Sequence, residues 1–237
     1  MISEFVLNYW PILVVMGLIA LARTIHVSLF TKYFKLTYTD APVWTFLYFS
    51  AFALAVVLIF HAEAAILFAH VSPIGYITLL FLFVVVFPVI YRWLRLRSGV
   101  PKWLMELFPD EPILSLEERF ILAKIADVVF QDLAAGVIIL TLVANGLTYP
   151  VIVGIFVALF AAAHFYIFKT SGLFWGLYYS TYAALGGFAI PFLILFVPGG
   201  IAYVLVLHML FYVISSVLFA KLPRPSRHVL HDLTGVS

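Results

Sequence analysis

The chain has 237 residues, of which 65% are apolar and 10% charged; a soluble domain of this length carries about a quarter charged residues. That balance describes an integral membrane protein, and a formal net charge of +2 is too small to suggest nucleic-acid binding. The chain contains no cysteine, which excludes disulfides, thiolate catalysis, thiolate metal ligation and cysteine-linked lipid anchors.

A helix crosses the hydrocarbon with about 20 apolar residues, each rising about 1.5 Å. On that rule the chain reads as an all-α, polytopic protein with seven spans, near 5–30, 43–61, 70–91, 119–144, 147–169, 173–197 and 201–220. The opening MISEFVLNYWPILVVMGLIALA lacks the basic segment and small-residue cleavage site of a signal peptide, so it is expected to stay as the first span. HAEAAILFAH either extends the third span or lies along the interface, with Pro73 and Gly75 kinking the longer helix. Gly186, Gly187 and Pro191 predict a bend in the sixth, where neighbouring helices must satisfy the freed carbonyl.

The basic residues orient these spans. Lys32 and Lys35 follow the first span, Arg92, Arg95, Arg97 and Lys102 the third, Lys169 the fifth, and Lys221, Arg224 and Arg227 the seventh. HAEA, NGLTY and VPGG, which connect the other spans, carry neither lysine nor arginine. Basic loops collect on the cytoplasmic side, so the N-terminus is expected outside and the C-terminus in the cytoplasm of a cell (inner or plasma) membrane. The expected organisation is a three-helix membrane region over 1–97, a cytoplasmic amphipathic connection over 98–118, a four-helix core over 119–220 and a basic cytoplasmic tail over 221–237. In the connection, Trp103, Leu104 and Leu107 flank Lys102 and Glu106, the pattern of a short helix lying on the membrane surface. Ser115 and Glu118 form a capping box that would start the fourth span.

An ionisable side chain at membrane depth costs roughly 2.5–3.5 kcal/mol on insertion scales, so each one is a candidate functional group. The candidates are Lys124, Asp127 and Asp132 on the fourth span, His164 on the fifth and His208 on the seventh. Lys124, Asp127 and Gln131 are three and four residues apart and share a face, with Asp132 at its edge; this stripe is expected to face the bundle interior. Lys124, and Arg23 at the end of the first span, have stems long enough to snorkel to the interface. Three alanines precede His164 and let a neighbouring helix approach closely, while His208 and Tyr212 lie one turn apart.

An acidic pair on one span, F-x-x-x-H on the next and a further histidine two spans later resembles the CPBP family, the CAAX-prenyl-protease and bacteriocin-processing (Abi) intramembrane proteases. That family's motifs are E-E-x-x-x-R, F-x-x-x-H, and a histidine followed one turn later by Asn or Asp. The resemblance covers about residues 115–220. Phe160 and His164 match the second motif and His208 the third, with Tyr212 in the place of Asn or Asp. Gln131 and Asp132 stand where the two glutamates are expected, and Gly136 where the arginine is expected.

The resemblance implies a core of membrane helices holding a water-activating acid beside two histidines. A general base must accept a proton, and the amide of Gln131 orients water without deprotonating it. Asp132 is shorter by one methylene and displaced by about 100° around the helix, and misplacements of this kind cost roughly 10²-fold in rate. The reading is therefore a degenerate member, a pseudoenzyme in which Gln131, Asp132, His164 and His208 are vestigial or altered catalytic positions. Phe160, Tyr212, Asp127 and Lys124 then act in binding, and the chain serves as a binding or assembly subunit beside other membrane proteins. Two alternatives remain: an active intramembrane endopeptidase using Asp132, His164 and His208, and a subunit binding haem or another pigment through His164 or His208. Neither motif histidine is paired with an i+4 histidine on its own helix, so no zinc-protease metal site is expected, and the cofactor is left unknown.

Overall fold

The computed structural model describes residues 2–36, 40–97, 100–107, 114, 118–170 and 172–221. Among these, helices dominate and no strand occurs. In chain order they are α1 (Ile2–Ile25), α2 (Pro42–Ile59), α3 (His61–Phe68), α4 (Pro73–Phe81), α5 (Phe87–Arg97), α6 (Lys102–Leu107), α7 (Glu118–Ala144), α8 (Tyr149–Thr170), α9 (Gly172–Phe196) and α10 (Gly200–Ala220). The protein is thus an all-α, multi-pass membrane protein. Six described segments are long and apolar enough to cross a bilayer: Asn8–Phe30, Pro42–Ile59, Pro73–Arg97, Arg119–Ala144, Gly172–Phe196 and Gly200–Ala220. In α8, the fifth expected span, the described apolar stretch Tyr149–His164 is shorter, although the helix itself has 22 residues.

Two spans include π-helical turns. His26–Tyr33 continues α1, and Leu82–Val86 joins α4 to α5 within one span. HAEAAILFAH forms the separate helix α3 instead of extending the third span. The break has a local cause: Ser72 caps α4 by accepting a hydrogen bond from the Gly75 amide, with Pro73 at the first helical position. Helix α9 continues through Pro191. Lys102–Leu107 forms the short helix expected in the connection. Ser115, one half of the expected capping box, lies outside the described residues, as do Arg224 and Arg227.

Helix α7 is the axis of the bundle. It packs against α1, α2, α3, α5, α8, α9 and α10, and 78% of its most apolar window is buried, against 17–44% for the other five qualifying spans. Being enclosed by protein over most of its surface is what allows this helix to carry carboxylates at depth. Helices α8 and α9 form the most extensive pair, drawn together at Gly187, where a Cβ atom would lie 2.7 Å from Val157 Cγ2. The α9–α10 corner needs glycine at both of its positions. Gly199 has φ of +68°, and a Cβ on Gly200 would lie 1.8 Å from the Leu193 carbonyl oxygen.

The distribution of basic residues gives a direct topology test. A reporter inserted after Lys102 or after Lys221 is expected to register on the cytoplasmic face, and one at Asn145 on the opposite face. The reverse pattern would overturn the assignment.

Candidate functional site

The polar residues of α7 form two sets. In the first, Asp127, which is fully buried, accepts three hydrogen bonds. The Arg23 guanidinium reaches Oδ1 at 2.8 Å from α1, the Gln131 amide nitrogen donates to the same oxygen at 2.8 Å, and the Lys124 ammonium reaches Oδ2 at 2.7 Å. The lysine and glutamine contacts follow from their spacing of three and four residues along one helix face. Arg23 and Lys124 therefore do not snorkel outward. Their side chains are only 23% and 12% exposed, because a buried carboxylate offers a charge-assisted partner. Each cation also lies over an aromatic ring: Arg23 over Phe49 at 5.4 Å and Lys124 over Tyr212 at 4.9 Å. The cluster thereby ties α1, α2 and α10 to α7.

In the second set, Asp132 Oδ1 lies 2.8 Å from His208 Nδ1 on α10. A carboxylate oxygen can only accept here, so Nδ1 carries a proton, and Nε2 holds a lone pair only when the ring is neutral. Asp132 Oδ2 is buried with no hydrogen-bond partner. The ring of His208 stacks on that of Tyr212, with centroids 5.8 Å apart and planes inclined by 14°. On α8, His164 Nδ1 donates to the Phe160 carbonyl at 2.7 Å, and its ring meets the Phe160 ring edge-on at 5.2 Å. The neutral His164 ring therefore also has its lone pair on Nε2.

Two cavities meet at His164. The larger, about 320 Å³, lies between α8, α9 and α10 and is lined by Phe160, His164, His208, Tyr212 and Ser215 among others. The smaller, about 50 Å³, lies between α1, α7 and α8, where Arg23, Gln131 and His164 supply its polar wall; it has room and polar partners for water. The structure brings some of the four sequence-predicted positions together and separates others. His164 and His208 line one cavity, and His164 and Gln131 line the other. Asp132 lines neither and touches the larger one only through His208.

Gly136, where the resemblance expects an arginine, faces α3. A Cβ there would lie 2.5 Å from Leu67 Cδ1, so a long side chain has to displace Leu67. Gly136→Leu is expected to lower stability by about 1–2 kcal/mol through overpacking, measured by unfolding in mixed micelles. Wild-type stability in that variant would mean that α3 is not seated on α7.

Two further groups went unnoticed in the sequence. The buried Tyr91 hydroxyl on α5 lies 3.1 Å from the Tyr212 carbonyl and 2.7 Å from Ser216 Oγ, which locks α5 to the site helix α10. Tyr178 on α9 donates to Ser215 Oγ on α10. Tyrosine occurs 13 times in this chain, and local spacing does not mark which hydroxyls turn inward. No group of three or more histidine or acidic residues suited to a metal ion occurs among the described residues. No protein family, curated protein or solved structure matches the chain.

Proposed function

We propose that the chain is a non-catalytic binding subunit of a membrane complex, built on a CPBP-like core whose protease site has eroded. One observation carries this reading: the side chain beside His164 at the water-sized cavity is Gln131, an amide, while Asp132 lines neither cavity. A base must reach the proton it removes, directly or through one water, and Asp132 is turned instead onto His208. Asp127, the other acid of α7, has both oxygens taken by Arg23, Lys124 and Gln131. The cavity between α8, α9 and α10 retains the volume and aromatic walls of a ligand pocket. Its position in a multi-pass bundle supports a lodging for a molecule drawn from the bilayer, in a cell membrane and beside other membrane proteins.

A second reading rests on the 2.8 Å contact between Asp132 and His208. An imidazole whose Nδ1–H is held by a carboxylate is oriented to use Nε2 as a base, which would support an intramembrane endopeptidase working through His208. The purified chain, incubated with membrane-spanning reporter peptides, separates the two. Binding alone predicts no cleavage above that of the His208→Phe variant. Cleavage lost in both His208→Phe and Asp132→Ala would establish the hydrolase instead. The same preparation in mild detergent should retain its partner subunits and lack a Soret absorption band; such a band would transfer His164 and His208 to haem ligation.

A further inference from the structure

The residues lining the α8–α10 cavity are sorted by depth. Lys169 and Lys221 mark one end of these helices, the cytoplasmic end by the positive-inside rule. Counted from that end at about 1.5 Å per residue, Ser215, His164, Tyr179, Tyr212, Tyr182 and His208 lie about 8–18 Å in. They are all of the described lining residues with polar side chains. Further along, at about 20–27 Å, the lining is Leu185, Gly186, Ala189, Ile190, Val204 and Leu207, none with a hydrogen-bonding side chain. Side-chain hydrogen bonding is therefore confined to the cytoplasmic part of the cavity.

That part is mixed in character. Tyrosine and serine hydroxyls both donate and accept, and an imidazole Nε2 accepts when its ring is neutral and donates when it is protonated. A hydroxyl on a ligand is served in either state. No lysine, arginine or acid is among the described lining residues, so an ionic head would be desolvated without a permanent counter-charge. The volume, about 320 Å³, is near the lower end of ligand cavities, roughly 300–1,000 Å³, which favours one chain over two. Leu185 on α9 and Leu207 and Ile214 on α10 are each about half exposed, at 59%, 46% and 53%, on helices that cross the membrane. The cavity therefore opens sideways, toward the acyl chains.

We propose that the cavity seats a single-chain lipid with an uncharged, glycerol-type head, head toward the cytoplasmic end of the bundle and chain toward the outer end. The inference rests on the binding reading and adds the ligand's class and direction to it. Seated the other way, the head meets Ala189, Ile190 and Val204, and its hydrogen bonds to water are given up without replacement. Each hydrogen bond left unmade costs about tenfold in affinity. That penalty sets both the direction and the preference for hydroxyls over methoxy groups.

The test uses the full chain in phosphatidylcholine nanodiscs and two hexadecyl glyceryl ether probes. One carries a photoreactive diazirine beside the glycerol, the other midway along the chain. Labelling that excess unlabelled hexadecyl glyceryl ether removes is the specific signal. It is expected at residues 179–182 and 212–215 for the head probe, and at 186–190 and 204–207 for the chain probe. The doubly methylated ether and hexadecyl phosphate should compete about tenfold less well. The reverse labelling pattern, or one pattern from both probes, would overturn the direction. Equal or better competition by either analogue would overturn the head chemistry, and in both cases the cavity is still a binding site. Absence of specific labelling by both probes would remove the binding reading as well.

Discussion

Replacing Asp127 by alanine is expected to be the most destabilising single change to the polar interior, costing about 3–5 kcal/mol, because it leaves buried cations without their counter-charge. Asp127 is the common acceptor of Arg23, Lys124 and Gln131. Without it, two cationic side chains that are mostly buried face each other across the α1–α7 contact, with Asp132 one turn away and already engaged by His208. Their cation–π contacts with Phe49 and Tyr212 soften this without neutralising charge. Arg23→Met should cost less, about 1–3 kcal/mol, since Lys124 and Gln131 still serve the carboxylate. Combining Asp127→Ala with Arg23→Met should recover part of the loss, because the second substitution removes a repulsive charge. Reversible unfolding in mixed micelles gives the three free energies. An Asp127→Ala protein as stable as the wild type, or a double variant whose losses simply add, would remove the cluster from the account.

Loss of Asp132 is the second large effect. In Asp132→Ala, His208 Nδ1–H has no acceptor in a packed interface and the α7–α10 contact loses its polar link, at an expected cost of about 2–3 kcal/mol. Asp132→Asn keeps an acceptor oxygen at nearly the same position and should restore most of that stability. If His208 acts as an oriented base, the asparagine variant is the informative one: the geometry persists while the charge that stabilises an imidazolium is gone. Stability near wild type with no change in any cleavage rate supports a structural role for the contact. A double-mutant cycle between Asp132→Ala and His208→Phe should give a coupling of about 0.5–3 kcal/mol, and zero coupling would mean that the two side chains do not meet in the folded protein.

The sequence carried the parts of this site that lie along one helix. Spacings of three and four residues placed Lys124, Asp127 and Gln131 on one face, and the cost of burying them pointed that face inward; the three interact as that geometry requires. The same logic paired His164 with Phe160 and His208 with Tyr212. Arg23 was different. Its partner is 104 residues away, and the periodicity of α1 reports which face is apolar without saying which helix it meets, so outward snorkelling was as consistent with the sequence as the ion pair. Asp132 stood at the edge of the polar stripe, a position compatible with facing either cavity or α10; the packing of α10 against α7 decides it.

The membrane class and most span boundaries were legible because about 20 consecutive apolar residues are a coarse and repeated signal. The π-helical turns at His26–Tyr33 and Leu82–Val86 leave the apolar pattern unbroken and were invisible to it. The Ser72–Pro73 boundary was half visible: Pro73 marked a discontinuity, but a kink and a fresh helix start share that residue, and the cap from Ser72 to Gly75 decides for the latter. The larger cavity lies between α8, α9 and α10 and the smaller between α1, α7 and α8, so each is a property of the assembled bundle and of no single helix.

The hydrophilic edge of α7 turns toward α10 within the bundle through the Asp132–His208 contact. The chain lacks cysteine, so paired substitutions can be read without background. Asp132→Cys combined with His208→Cys should be bridged within one chain by the shortest bis-thiosulfonate, while Leu122→Cys with His208→Cys, about 15 Å further along α7, should not. Bridging of the control pair alone, or reaction of the cysteine at position 132 with a lipid-soluble maleimide as fast as one at the exposed Leu122, would contradict the account.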